Sequence, residues 1–166
     1  MVKSSCTELL WILSLVSLGG APAIAQTTVT DTFGVQITIN SDCEITSTET
    51  LDFGSSGVLT TAVLTTADLQ VTCTTGTAYD IRLDEGTGSG ATISVRKMTS
   101  GGSTINYEMF SDSGRTTNWG ETDGVDTVSD TGNGSAQTHT VFGRVPVQTT
   151  PAPGTYTDTI TVTVAF

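Results

Sequence analysis

Thr155-Tyr-Thr-Asp-Thr-Ile-Thr-Val-Thr-Val-Ala-Phe166 alternates from end to end. Side chains on a strand point to opposite faces in turn, so Tyr156, Asp158, Ile160, Val162, Val164 and Phe166 share one side. Thr157, Thr159, Thr161, Thr163 and Ala165 take the other. A period of two over this length, rich in β-branched residues, predicts a strand with one face in a core and one face wet. An apolar strand with an open edge invites pairing with another chain. No residue follows Phe166 in this sequence, so the strand beside it is expected to come from elsewhere.

The other end of the chain echoes it. Over residues 27–39, Val29, Asp31, Phe33, Val35, Ile37 and Ile39 alternate with Thr30, Thr32, Gly34, Gln36 and Thr38. This predicts a second long amphipathic strand, on propensity alone the first core strand of a self-contained sandwich. Ahead of it, Lys3, the apolar run 9–18 and Ala23-Ile-Ala25 have the order of a secretory signal peptide, expected to be cut after Ala25. The run is short for a bilayer span. What remains, residues 26–166, is the length of one domain.

Compartment and charge follow. Cys6 leaves with the leader, and two cysteines in an exported chain are most simply one disulfide, Cys43 to Cys73. Loss of the leader removes one base, Lys3, and one acid, Glu8, so the net charge stays at −11. Such a balance argues against nucleic acid, whose phosphates demand a basic surface.

Between the two ends, apolar residues keep the period of strands and no helical period of useful length occurs. In residues 67–73, Leu69, Val71 and Cys73 point inward, and residues 79–83 form a short strand. A hairpin is expected from residues 91–98 and 105–110 around Ser100-Gly-Gly-Ser103, with Ile105, Tyr107 and Met109 on one side. Trp119 is expected to be half buried, residues 121–135 to be a solvated loop, and residues 139–145 to be a strand before a proline-punctuated loop. Many short strands between Gly, Ser, Asn and Asp turns indicate an all-β, antiparallel sandwich.

Catalytic chemistry is not expected. His139 is the single histidine, with no Gly-x-Ser-x-Gly elbow nearby. Asp52-Phe-Gly54 has a kinase motif's letters without its glycine-rich loop, and the loop 85–90 is glycine-rich without a following helix. Asp123, Asp126 and Asp130 lack the bidentate glutamate position of a calcium loop. We therefore expect no cofactor, no metal and no enzyme activity; function is expected in surfaces and edges.

With its ends and cysteines in view, the chain resembles the spore coat protein U family, which includes the Csu-type pilins of archaic chaperone–usher pili. The resemblance rests on Ile37-Thr-Ile39 before Cys43, Leu51-Asp-Phe-Gly54, Val71-Thr-Cys73, Tyr107-Glu-Met-Phe110 with Asp112, and Asn118-Trp-Gly120. It continues through Val141-Phe-Gly-Arg-Val-Pro146 and closes on residues 154–166. It implies an incomplete immunoglobulin-like antiparallel β-sandwich lacking its last strand, formed by residues 40–166. A periplasmic chaperone would fill the open groove first, and the N-terminal strand of the next subunit would replace it after passage through an outer-membrane usher. Residues 26–39 would then be the donor strand, with Val29, Phe33, Val35, Ile37 and Ile39 as its knobs. Ile160, Val162, Val164 and Phe166 would line the acceptor groove.

The function this implies is a structural subunit of an extracellular pilus, a polymer of identical or related subunits serving adhesion and biofilm formation. The alternatives are a spore or cell coat protein, and a secreted carbohydrate- or cation-binding sandwich using the loop from Asp123 to Asp130.

Overall fold

The structure, a computed structural model, describes residues 24–166. The leader expected over residues 1–25 therefore lies, but for Ile24 and Ala25, outside the described residues. The chain divides into two units, Met1–Ile37 and Thr38–Phe166.

In the first unit, residues 24–37 form no helix or strand, and Val29, Phe33, Val35 and Ile37 are 82–92% exposed. The strand expected over residues 27–39 is thus absent from the single chain. A strand is completed by its hydrogen-bonded neighbour, and alternation alone does not provide one.

The second unit is all β. Its strands are β1 (Cys43–Thr48), β2 (Val63–Cys73), β3 (Ala78–Leu83), β4 (Arg96–Ser100), β5 (Ser103–Phe110), β6 (Val128–Thr131), β7 (Ala136–Val145) and β8 (Val162–Ala165). They form a five-stranded sheet in the order β1-β2-β7-β5-β4 and a three-stranded sheet in the order β6-β3-β8. The strand pairs are antiparallel.

Alternation sets the core. Ala67, Leu69, Val71 and Cys73 of β2 are buried, as are Tyr79, Ile81 and Leu83 of β3, Tyr107 and Met109 of β5, and Val141 and Val145 of β7. All of these side chains but Ala67 form one cluster drawn from the two sheets. Gly76, at φ 88°, closes the β2–β3 turn, and Gly101, at φ 59°, closes the β4–β5 hairpin. Both sit in a region that glycine enters without a Cβ clash. Cys43 and Cys73 are disulfide-bonded and are register partners across β1 and β2.

Four expectations need correction. Trp119 is only 1% exposed, because its indole N–H donates to the Ile81 carbonyl at 2.8 Å and its backbone N–H to that of Met109 at 3.0 Å. One residue thus ties the two sheets together. The acidic stretch 121–135 contains β6, whose backbone pairs with β3 although Val128 is its one apolar residue. The first arm of the hairpin starts at Arg96, after a tight Thr92–Val95 bridge. Finally, the C-terminal strand pairs only over Val162–Ala165 with β3, while Thr157 bridges to Thr99 of β4. The segment thus changes partner along its length, from β4 at Thr157 to β3 at Val162–Ala165.

Candidate functional site: a groove between two open edges

Each sheet leaves one relevant edge free. Among the described residues, β1 pairs only with β2, and β8 pairs only with β3. Between these edges lies a groove of about 820 Å³. Its floor is the inner face of the large sheet: Ala67 and Leu69 of β2, Val141 of β7, Tyr107 and Met109 of β5, and Met98 of β4. A second hollow of about 690 Å³ shares Asp52, Phe53, Met98, Thr155 and Tyr156 with it and adds Leu59, Val63, Ile105 and Val145.

One wall is the segment after β1. Leu51 and Phe53 are half buried against the core, and they fit because β7 carries glycine beneath them. A Cβ on Gly143 would stand 2.9 Å from Leu51 Cδ2 and 3.0 Å from Phe53 Cζ. The Phe53 ring meets the Tyr107 ring edge-on at 6.1 Å.

The opposite wall is the C-terminal segment. Tyr156, Asp158, Ile160, Val162 and Val164 are half buried, while Thr155, Thr157, Thr159, Thr161 and Thr163 are exposed, so the alternation persists where regular pairing does not. Ile160 and Val162 line the groove. Val164 packs on the core without lining it, and Phe166 is 60% exposed. Of the acceptor residues expected from sequence, the structure places two in the groove. It adds Met98, Tyr107 and Leu69, whose signal in the sequence was parity on their strands, and Leu51 and Phe53, which lie on no strand.

Asp158 is the polar member of this wall. Its Oδ1 accepts from the Thr87 N–H and hydroxyl at 2.8 and 2.7 Å and from the Thr159 N–H at 2.8 Å. Its Oδ2 accepts from the Tyr107 hydroxyl at 2.8 Å. Burial alone would raise its pKa, but these donors together outweigh burial and hold the carboxyl below its usual range. Burial, followed by the bond to Asp158, pushes the Tyr107 phenol well above its ordinary value. Glu49, Asp52 and Asp68 also line the groove, with no Lys or Arg among its lining residues.

Elsewhere the candidate ligands are occupied. Asp123 is paired with Arg82, Asp126 accepts from the Thr122 N–H at 2.7 Å, and Asp130 accepts from Gln137 at 3.0 Å. Among the described residues no three His, Cys, Asp or Glu side chains are placed to hold a metal. His139 shares a 3.0 Å hydrogen bond with the Tyr79 hydroxyl, and burial together with nearby Asp130 pushes that phenol up to about 12.

The Spore Coat Protein U domain matches residues 29–163. The chain belongs to this family. No curated protein matches it. Among solved structures it is similar to one chain of the CsuC–CsuE chaperone–tip adhesion subunit pre-assembly complex, from archaic chaperone–usher Csu pili of Acinetobacter baumannii. The similarity is 27% identity with a TM-score of 0.56. It covers 78% of this chain and 40% of that one, so this spore coat protein U chain spans about two fifths of its neighbour's length.

Proposed function

We propose that the chain is a structural subunit of an extracellular chaperone–usher pilus, polymerised by donor-strand complementation and serving adhesion and biofilm formation. The observation that carries this reading is a pair of unsatisfied partners. An apolar groove lies between the free edges of β1 and β8, and an alternating segment exposes Val29, Phe33, Val35, Ile37 and Ile39 at 71–92%. The groove is taken to be the place of the sandwich's missing strand, and residues 26–39 of a neighbouring copy are its occupant. Burying such side chains stabilises by roughly 1.5–3 kcal/mol each before ordering costs. The new backbone ladder would satisfy both open edges at once.

In this reading residues 1–25 direct export, residues 26–39 donate, and residues 40–166 form the accepting domain. A periplasmic chaperone covers the groove before assembly, and an outer-membrane usher releases the fibre to the cell surface. Phe33→Asp with Ile37→Asp tests it, because a carboxylate in an apolar groove costs several kcal/mol. The double variant should fold and be retained in the periplasm but form no fibres by electron microscopy. Fibres at wild-type abundance would overturn the reading.

A further inference from the structure

The two end segments are alike beyond their alternation. Residues 28–39 laid on residues 155–166 match at Thr28/Thr155, Thr30/Thr157, Asp31/Asp158, Thr32/Thr159 and Val35/Val162. The apolar positions also correspond: Phe33 with Ile160, Ile37 with Val164, Ile39 with Phe166. The local geometry matches too, since Asp31 Oδ1 accepts the Thr32 N–H at 2.8 Å as Asp158 Oδ1 accepts that of Thr159 at 2.8 Å.

This likeness creates an ambiguity for any donor that lies beside the C-terminal segment. Seated parallel and in this register, the donor sets Phe33, Val35, Ile37 and Ile39 against Ile160, Val162, Val164 and Phe166. Apolar matching therefore does not reject that arrangement. Seated antiparallel with Val35 against Val164, it places Phe33 beside Phe166, Ile37 beside Val162 and Ile39 beside Ile160, and takes Asp31 away from Asp158. Apolar matching accepts both directions.

Asp31 separates them. Resting on the donor-strand reading above, we propose that Asp31 is a specificity-determining residue, barring the parallel in-register seating of a neighbour's N-terminal segment because it would face Asp158 across the groove. Neighbouring strands lie about 5 Å apart, and like charges directly opposite are destabilising. Asp158 cannot readily relieve the conflict by taking a proton. Four hydrogen bonds go to its ionised oxygens, three of them from Thr87 and Tyr107, which lie outside its own strand. No cation in the lining can pair the second carboxylate, and Glu49, Asp52 and Asp68 add charge of the same sign. Arg96, the nearby guanidinium, is committed to backbone carbonyls of Asp84, Ile93, Leu83 and Trp119.

Cysteine pairs on the outward faces test this in fibres of the full-length chain, read as intermolecular disulfides on non-reducing gels. Parallel in-register seating crosslinks both Thr32→Cys with Thr159→Cys and Thr38→Cys with Ala165→Cys, two pairs that no single antiparallel register brings together. Gln36→Cys with Thr159→Cys, Thr161→Cys, Thr163→Cys or Ala165→Cys shows where the donor sits in any other seating. With Asp31 intact, the two parallel-reporting pairs should stay uncrosslinked while one of the others crosslinks. Asp31→Asn should raise the parallel product at least about tenfold, and Asp31→Lys, which can pair with Asp158, should raise it further. Parallel crosslinking that is as strong with Asp31 as without it, or no gain in either variant, overturns the proposal while leaving donor exchange standing. Fibres in which no pair crosslinks overturn both.

Discussion

Arg96 is fully buried and, among the described residues, has no carboxylate partner. Its guanidinium instead donates to the carbonyls of Asp84, Ile93, Leu83 and Trp119 at 2.7–2.9 Å, binding the β3 end, the loop before β4 and the Trp119 segment. Burial lowers its pKa, yet five donors in a rigid fork suit several carbonyls as no ammonium can. Arg96→Met would leave those acceptors unpaired in the core, and we expect a loss of at least about 3 kcal/mol in urea unfolding. His139 gives a pH signature. Burial lowers its pKa below 6.5, against a smaller opposing effect of Asp130. The unfolded chain therefore takes up a proton on this ring at higher pH than the folded chain does. Its contribution to stability is complete above about pH 6.5 and declines as pH falls through that value towards the folded pKa. His139→Gln should flatten the fall in stability between pH 7 and pH 5, a slope of at most about 1.4 kcal/mol per pH unit for one proton.

At the scale of elements, Gly143 controls how the wall of the groove sits. Gly143→Val drives a branched side chain into Leu51 and Phe53, and overpacking of this kind costs about 1–3 kcal/mol. Gly57→Val, at a position with nothing within 4 Å of the added Cβ, should stay within about 0.5 kcal/mol in the same urea series. The strands β2, β3, β5 and β7 were legible in the sequence because a period of two with one apolar face leaves little else for them to be. Arg96 left a weaker trace: it shares parity with Met98 on β4, but a charged residue on an inward position reads as a surface residue until its acceptors are known. β6 left almost none, since its pairing with β3 is made by backbone in a stretch of Ser, Asp and Thr. The change of sheet along residues 155–166 was invisible for a plainer reason. Alternation specifies a face and is silent about which edge the strand joins.

For the molecule as a whole, the groove and the exposed N-terminal segment define what stability should mean. Part of the groove's apolar lining is only half covered, with Leu51, Phe53, Met98, Ile160 and Val162 all partly exposed. A chain in this state should be less stable than one with the groove filled, by an amount set by how much tighter the occupant binds than its effective concentration. A second copy of residues 28–40 fused after Phe166 through a flexible Gly/Ser linker would stand at about millimolar effective concentration. If that segment binds the groove with a micromolar Kd, occupancy stabilises the domain by about 4 kcal/mol. For a domain of this size that is a rise of roughly 8–16 °C in Tm. The fused chain should also remain monomeric in sedimentation, because its acceptor site is already taken. The same fusion carrying Phe33→Asp and Ile37→Asp in the added copy should lose both effects. An unchanged Tm in the intact fusion, with polymers still forming, would mean that the groove is filled by something other than this segment.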